Sequence, residues 1–338
     1  MVMVRCDGGA ALGMGHVSRC LALADALRDQ HGCAVTFAMR DSSSPGVQAV
    51  HDAGFHVDPI ATPQDVDYGA ELAALIRARS AAAVVVDVRD ALSRESLEAL
   101  RSTGVRVVAV DDGSARRLAS DLAFYPPVPQ VEELDWTGYA GRRFSGWEWV
   151  LLKPEFAAVQ PERASAAVDV LVTMGGSDPA EMTEFVVGAL NLLPMRLSVQ
   201  VVVGPAFART VSLGEAAAQS NHAIQVVHAP RSMASLMAAS RIAVVSFGVS
   251  AYELAACGIP SVHLCLTADH ERSSSVFARE EIALTAGIVG AVQPQRLAEC
   301  SARLVGDASL RRRMAARARA LVDGRGAVRI ARLIVEGA

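Results

Sequence analysis

Short runs of β-branched and apolar residues recur along the chain, each followed by a longer Ala- and Leu-rich segment. Val2–Cys6 and Val35–Met39 predict strands, with a helix over His16–Arg28 between them. Ala82–Val86 and Val105–Val110 predict two more strands around a helix over Leu92–Arg101. Strands that are apolar throughout must be covered on both faces, and covered strands alternating with helices make a parallel sheet. Between about Tyr125 and Ser165 the rhythm lapses into a stretch with Pro126, Pro127, Pro129, Pro154, Pro161 and all three tryptophans, read as an irregular connector. It then restarts with strands at Val168–Thr173, Leu197–Val203, Ile224–Val227, Ile242–Val245 and Ser261–Leu264. Helices are expected near Pro179–Leu192, Ser232–Ala239, Ser250–Ala256 and His270–Arg279, and again from Ala298 onward. The expectation is an α/β protein of two doubly wound domains, 1–160 and 161–338, facing a central cleft.

The 338 residues fit that count at roughly 150 per domain. A net charge of −4, from 32 basic and 36 acidic residues, excludes a broad polycationic nucleic-acid footprint. Lys153 is the only lysine and sits in neither a Schiff-base nor a P-loop context. Charge arrives at Arg5 and Asp7, and no apolar run approaches 18 residues, so neither a signal peptide nor a membrane span is expected. The six cysteines form no C-x-x-C pair and read as reduced thiols of a cytoplasmic protein. The histidines show no metal-ligand spacing, so neither a metal nor a cofactor is expected.

In a doubly wound sheet, ligands bind at the C-terminal ends of the strands. The first such turn is Arg5-Cys-Asp7-Gly8-Gly9 through Gly13-Met-Gly15-His16-Val-Ser-Arg19. Glycines there allow close backbone approach, and the helix beginning near His16 presents free N–H groups to an anion. The turn also half-matches a dinucleotide fingerprint, with Arg40 placed for a 2′-phosphate, but it is too long and carries a histidine at the helix start. His16 reads either as a satisfied helix-start histidine or as a general base, since a helix N-terminus disfavours an imidazolium. Asp87 and Asp111 each follow a predicted strand, at its C-terminal end. In the second half, Gly175-Gly176-Ser177-Asp178 follows a strand and opens a helix, with Ser177 or Asp178 as its cap. Ser246-Phe247-Gly248-Val249-Ser250 repeats that pattern, and Glu253, one turn further, can accept from ribose hydroxyls or serve the helix dipole. Asp65-Val66-Asp67 spells D-x-D but lies in a polar loop and reads as surface.

Taken together, Arg5-x-Asp7, Gly13-x-Gly15-His16-x-x-Arg19, Met174-Gly175-Gly176-Ser177-Asp178, and Glu253 before Gly258-Ile259-Pro260 resemble one family. They are similar to the UDP-2,4-diacetamido-2,4,6-trideoxy-β-L-altropyranose hydrolases of pseudaminic acid biosynthesis and their spore-coat polysaccharide relatives. Gly146 through Phe156 resembles that family's interdomain segment, and the likeness runs from Arg5 to about Gly287. It implies a GT-B fold and metal-independent hydrolysis of a UDP-sugar with inversion. His16 would be the general base, with Asp7 beside it in the catalytic turn. Gly13, Gly15, Arg19, Asp87, Gly175, Gly176, Ser177, Phe247, Gly248, Ser250, Glu253 and His270 would contact the substrate. Two segments depart from the family: Asp87-Val88-Arg89-Asp90, where a His-Tyr type pair is usual, and Ala268-Asp269-His270-Glu271-Arg272, where an Asn-Gln pair is usual. Both bear on the sugar rather than the nucleotide. The alternative is an inverting GT-B glycosyltransferase using the same donor, and a third reading is a non-catalytic nucleotide-sugar binder. The partner expected is a UDP-linked sugar, with a monomer as the expected state.

Overall fold

The computed structural model describes residues 1–9, 12–41, 44–159, 167–176, 178, 180–204 and 207–337. The chain divides into two compact units, Met1–Lys153 with Gly324–Ala338, and Pro154–Asp323.

The first unit opens β1 (Val2–Cys6), α1 (Gly15–His31), β2 (Val35–Met39), α2 (Pro45–Asp52), β3 (His56–Pro59), α3 (Gly69–Arg79) and β4 (Ala83–Asp87). It continues with α4 (Arg94–Ser102), β5 (Arg106–Val110), β6 (Leu122–Tyr125), α5 (Gln130–Glu133) and β7 (Arg142–Ser145). The strands pair in the order β3-β2-β1-β4-β5-β6-β7, all parallel. Alternate residues of β1 show why two layers of helix are needed. Val2, Val4 and Cys6 join the core under α1 and α2, while Met3 joins the core under α3 and α4. β7 lies in the stretch read as an irregular connector. As an edge strand it is half-exposed, with Phe144 its only apolar residue, and leaves no periodic signal.

The second unit runs α6 (Pro154–Ala158), β8 (Val168–Thr173), α7 (Met182–Leu190), β9 (Ser198–Val203), α8 (Thr210–Ala218), β10 (Ala223–His228) and α9 (Met233–Ala238). After these come β11 (Ser240–Ser246), α10 (Val249–Cys257), β12 (Ser261–Cys265), α11 (Ala268–Arg279), β13 (Ala283–Ile288), α12 (Pro294–Gly306) and α13 (Ala308–Leu321). Its parallel sheet has the order β10-β9-β8-β11-β12-β13.

The last helix, α14 (Gly326–Glu336), packs on the first unit, although the sequence reading places it with the second. Its stripe of Ala327, Ile330, Ala331 and Ile334 is buried in the same core as α1. Spacing reveals such a stripe but not which core it will fill.

One close approach beside the first glycine turn leaves no room for a side chain. A Cβ on Gly46, in the first turn of α2, would stand 2.5 Å from the carbonyl oxygen of Gly8. Because backbone cannot yield as a side chain does, Gly46→Ala is expected to destabilise the first unit by about 1–3 kcal/mol in urea unfolding. A wild-type midpoint would show that α2 can move off the turn without penalty.

Candidate functional site

In each sheet the strand order reverses between two central strands, β1 and β4 in the first unit, β8 and β11 in the second. Doubly wound sheets bind ligands at the carboxyl ends of the strands beside such a reversal. The sequence-expected residues fall there: Asp7 to Arg19 after β1, Asp87 at the end of β4, Gly175-Gly176 after β8, and Phe247 to Glu253 after β11.

In the first unit, Gly9 and Gly13 close the turn by two backbone hydrogen bonds, 3.1 and 2.8 Å, with Gly13 at φ +74. Gly15 starts α1, and its N-cap Met14 offers no side-chain acceptor to the first N–H groups. One turn of helix brings His16 and Arg19 onto one face, above the end of β4. There Asp87, 1% exposed, accepts from His16 Nδ1 at 2.6 Å and from Arg19 Nε and Nη2 at 2.6 Å each. Arg19 Nη2 also stands 3.2 Å from His16 Nδ1. A guanidinium is donor-only, so Nδ1 cannot accept from it and still donate to Asp87. The shorter bond to a carboxylate decides the tautomer: Nδ1–H donates to Asp87, leaving the Nε2 lone pair of the neutral ring free to take a proton. Burial alone would raise the Asp87 carboxyl. The charge and hydrogen bonds of Arg19, with His16 behind them, outweigh it and hold the group well below the usual carboxylate range. The brace is therefore a fixed negative charge behind the imidazole. Arg19 is completed by Asp111, 2.9 Å from Nη1, at a backbone φ of +51.

Asp87 and Arg19, expected among substrate contacts, both stand within hydrogen-bond distance of His16 Nδ1. The ring itself is 19% exposed and lines a hollow of about 10 Å³ with Asp7, Leu12, Gln64 and Arg89. Asp7 shares that hollow but is bound elsewhere. It accepts from Arg5 at 2.7 and 2.6 Å and from the Arg40 backbone N–H at 2.9 Å. Burial pushes its carboxyl up, and the Arg5 and Arg40 contacts bring it below its ordinary value.

Behind Asp7 lies an ionic cluster that sequence reasoning missed. Arg5, fully buried in β1, reaches Asp90 at 3.0 Å and the Tyr68 hydroxyl at 2.8 Å. Asp90 also accepts from Tyr68 (2.7 Å), Arg40 (2.7 Å) and Arg116 (3.1 Å), and Arg116 donates to Asp112 at 2.8 Å. The available signal was Arg5 itself, a cation in the middle of an otherwise apolar strand. Asp67 of the D-x-D accepts from Ser93 and Ser96 hydroxyls, both at 2.7 Å, and ties two helix starts together.

In the second unit, the turn after β8 lies beside the end of β11: a Cβ on Gly175 would sit 3.9 Å from Ser246 Oγ. Asp178 caps α7, accepting from Met182 and Thr183 N–H at 2.9 and 2.8 Å. Ser177 lies outside the described residues. Gly248, in extended backbone, is the N-cap of α10 and supplies no side-chain cap, so the first N–H groups of that helix have no capping acceptor. Ser250 is half-buried at this start and Glu253 is buried a turn later. The Phe247 ring packs 6.1 Å from His270 and 5.6 Å from His263. His263 is fully buried, bonded to Ser261 Oγ at 3.0 Å and Ser274 Oγ at 2.9 Å. Burial lowers its pKa from 6.5 to about 3. The unfolded chain thus takes up a proton near pH 6.5 that the folded chain refuses until about pH 3, and stability falls across that interval as pH drops. His263→Gln is expected to flatten the acid dependence of urea unfolding in this window. Parallel slopes for wild type and variant would remove His263 as its source.

No helix among the described residues is long and apolar enough to cross a membrane.

No family profile matches the chain. The spore coat polysaccharide biosynthesis protein SpsG of Bacillus subtilis is 23% identical over 333 residues, covering 97% of this chain and 96% of that protein. Among solved structures, MurG of Acinetobacter baumannii superposes with a TM-score of 0.71 at 17% identity, covering 98% of both chains. A glycosyltransferase of Rickettsia africae superposes with a TM-score of 0.65 at 13% identity, covering 100% of this chain and 99% of the other. The chain has the GT-B fold, built of two Rossmann-like parallel-sheet units.

Proposed function

We propose that the protein is an inverting enzyme acting on a nucleotide sugar at its anomeric carbon, with His16 as general base and UDP as the leaving group. The observation that supports this most is the His16–Asp87–Arg19 arrangement, a histidine held in one tautomer by a buried carboxylate that is itself pinned by a guanidinium. Nδ1 is committed to Asp87, so the accessible proton acceptor is Nε2. A nucleophile's oxygen forms the new bond to the anomeric carbon and passes its proton to Nε2. The bond from that carbon to the diphosphate oxygen breaks, and its electron pair leaves with the nucleoside diphosphate. The turn after β8 and the uncapped start of α10 supply N–H donors to the diphosphate, with Glu253 as the ribose acceptor. Gly13, Gly15 and the start of α1 serve the sugar side.

Transfer to an acceptor hydroxyl is the leading form of the reaction. It is supported by the fold shared with a glycosyltransferase and by the resemblance to a polysaccharide biosynthesis protein. Hydrolysis is the second reading. The hollow of about 10 Å³ beside His16 offers the room a single water needs, and the order of the sequence motifs resembles the altropyranose hydrolases. Incubation with a panel of nucleotide sugars in EDTA, followed by phosphorus and proton NMR, separates the two. Release of UDP only with a sugar or lipid-linked acceptor is the expected result. Rapid release without acceptor, with an inverted free sugar, would establish hydrolysis. Turnover of none, with or without acceptor, would overturn both.

A further inference from the structure

A cavity of about 930 Å³ lies wholly within the second unit, independent of the reading above. It is lined by Ala283, Leu284 and Thr285, at the start of β13. The sheet is parallel, so this cavity sits toward the end opposite the glycine turns. Its walls are two helical faces of matching spacing. α12 contributes Arg296, Glu299, Cys300 and Arg303, and α13 contributes Leu310, Arg313, Met314 and Arg317. Each set is i, i+3, i+4, i+7, one face of a helix. Cys300 and Met314 are buried and make an apolar floor with Leu284, while the four arginines stand exposed around it.

The charges do not balance. The lining holds four arginines and two glutamates. Arg296 stands 3.8 Å from Glu299, and Arg317 lies 3.2 Å from Glu280 and 3.9 Å from Glu281. Arg303 and Arg313 have no ion pair among the described residues; Arg313 donates to Ser309 Oγ at 3.0 Å, and Asp307, which caps α13, lies near both without pairing to either. A surface helix pair serving only solubility would intersperse its charges over a filled interface. Here an open apolar floor of small-ligand volume carries an excess of guanidinium over carboxylate, with Arg303 and Arg313 outside any ion pair among the described residues.

We propose that this cavity binds a small amphipathic anion. A phosphate or carboxylate head is held by Arg303 and Arg313, whose planar forks suit such oxygens, and an apolar body lies on Leu284, Cys300, Leu310 and Met314. Calorimetric titration of the full chain with n-octyl phosphate, below its micelle concentration, tests it against n-octyl β-D-glucoside and inorganic phosphate. Saturable binding of octyl phosphate is expected, at least about tenfold weaker in Arg303→Gln/Arg313→Gln and at least about tenfold weaker for the neutral glucoside. Inorganic phosphate alone, without the apolar body, is expected to bind more weakly than octyl phosphate. Both arginines are exposed, and circular dichroism would confirm that the double variant folds. Binding indifferent to the double variant would place the ligand elsewhere and overturn the proposal, as would equal affinity for the glucoside or no saturable heat up to about 1 mM. No octyl phosphate binding, together with a changed sedimentation coefficient in the double variant, would assign the cavity to a second copy of the chain and also overturn it.

Discussion

His16→Asn is expected to lower kcat by roughly 10²–10⁴-fold with KM for the nucleotide sugar little changed, the usual loss when a general base is removed. Asparagine is the informative substitution because its side-chain amide can donate to Asp87 in place of Nδ1–H. It preserves the hydrogen bond at 2.6 Å and the charge balance with Arg19 while abolishing the acceptor at Nε2. A loss confined to kcat then reports the missing proton acceptor rather than a disturbed fold. The side chain is 19% exposed, so unfolding midpoints should match the wild type. A kcat within threefold of wild type would sink the base, whichever nucleophile attacks.

Asp90→Ala is expected to cost the first unit about 3–5 kcal/mol in urea unfolding, the range seen when one partner of a buried ion pair is removed. Asp90 is 2% exposed and receives three guanidinium groups, of which Arg5 has no solvent contact at all. Burial raises the Asp90 carboxyl, and Arg40, Tyr68 and Arg5 together bring it below its ordinary value, so the folded state relies on the charged form. Without it, Arg5 keeps Asp7, but Arg40 and Arg116 are left with fewer acceptors in a site that water does not reach freely. Glu98→Ala is the comparison. It removes a helix-surface pair with Arg94 whose partners are 39% and 46% exposed, and should change stability by no more than about 0.5 kcal/mol. Equal effects of the two substitutions would mean that the buried cluster adds no more than the surface pair.

What could be read in advance followed burial. Central strands such as Val2–Cys6 and Val168–Thr173 are apolar from end to end because helices cover both faces, and a continuous β-branched run is hard to mistake. Edge strands are half-wet, so His56–Pro59 and Arg142–Ser145 carry one or two apolar residues each and blend into loops. The positions of the candidate site were legible for a related reason. A parallel strand delivers its next residue to the binding edge, which brought out Asp7, Asp87 and the two glycine turns. The direction of each side chain was not legible. Whether Asp87 faces solvent or His16 depends on how α1 seats against β4, a matter of packing between segments some seventy positions apart. The Arg5–Asp90–Arg116 cluster is likewise distributed over three strand ends, with only the misplaced cation of β1 to announce it.

The route of the chain bears on how the protein comes to be made. It leaves the first unit at Lys153, builds the whole of the second, and returns at Gly324. At typical synthesis rates, the intervening residues take on the order of ten to thirty seconds to emerge. By the end of that time the second unit has all its parts and can fold. The first, begun earlier, still lacks α14, so the side of α1 that the helix covers stays wet and adhesive. The half of the protein that carries His16 is therefore the first to be translated and the last to mature. A chaperone arriving at the ribosome would have one particular apolar face to shield, until eleven residues of helix replace it.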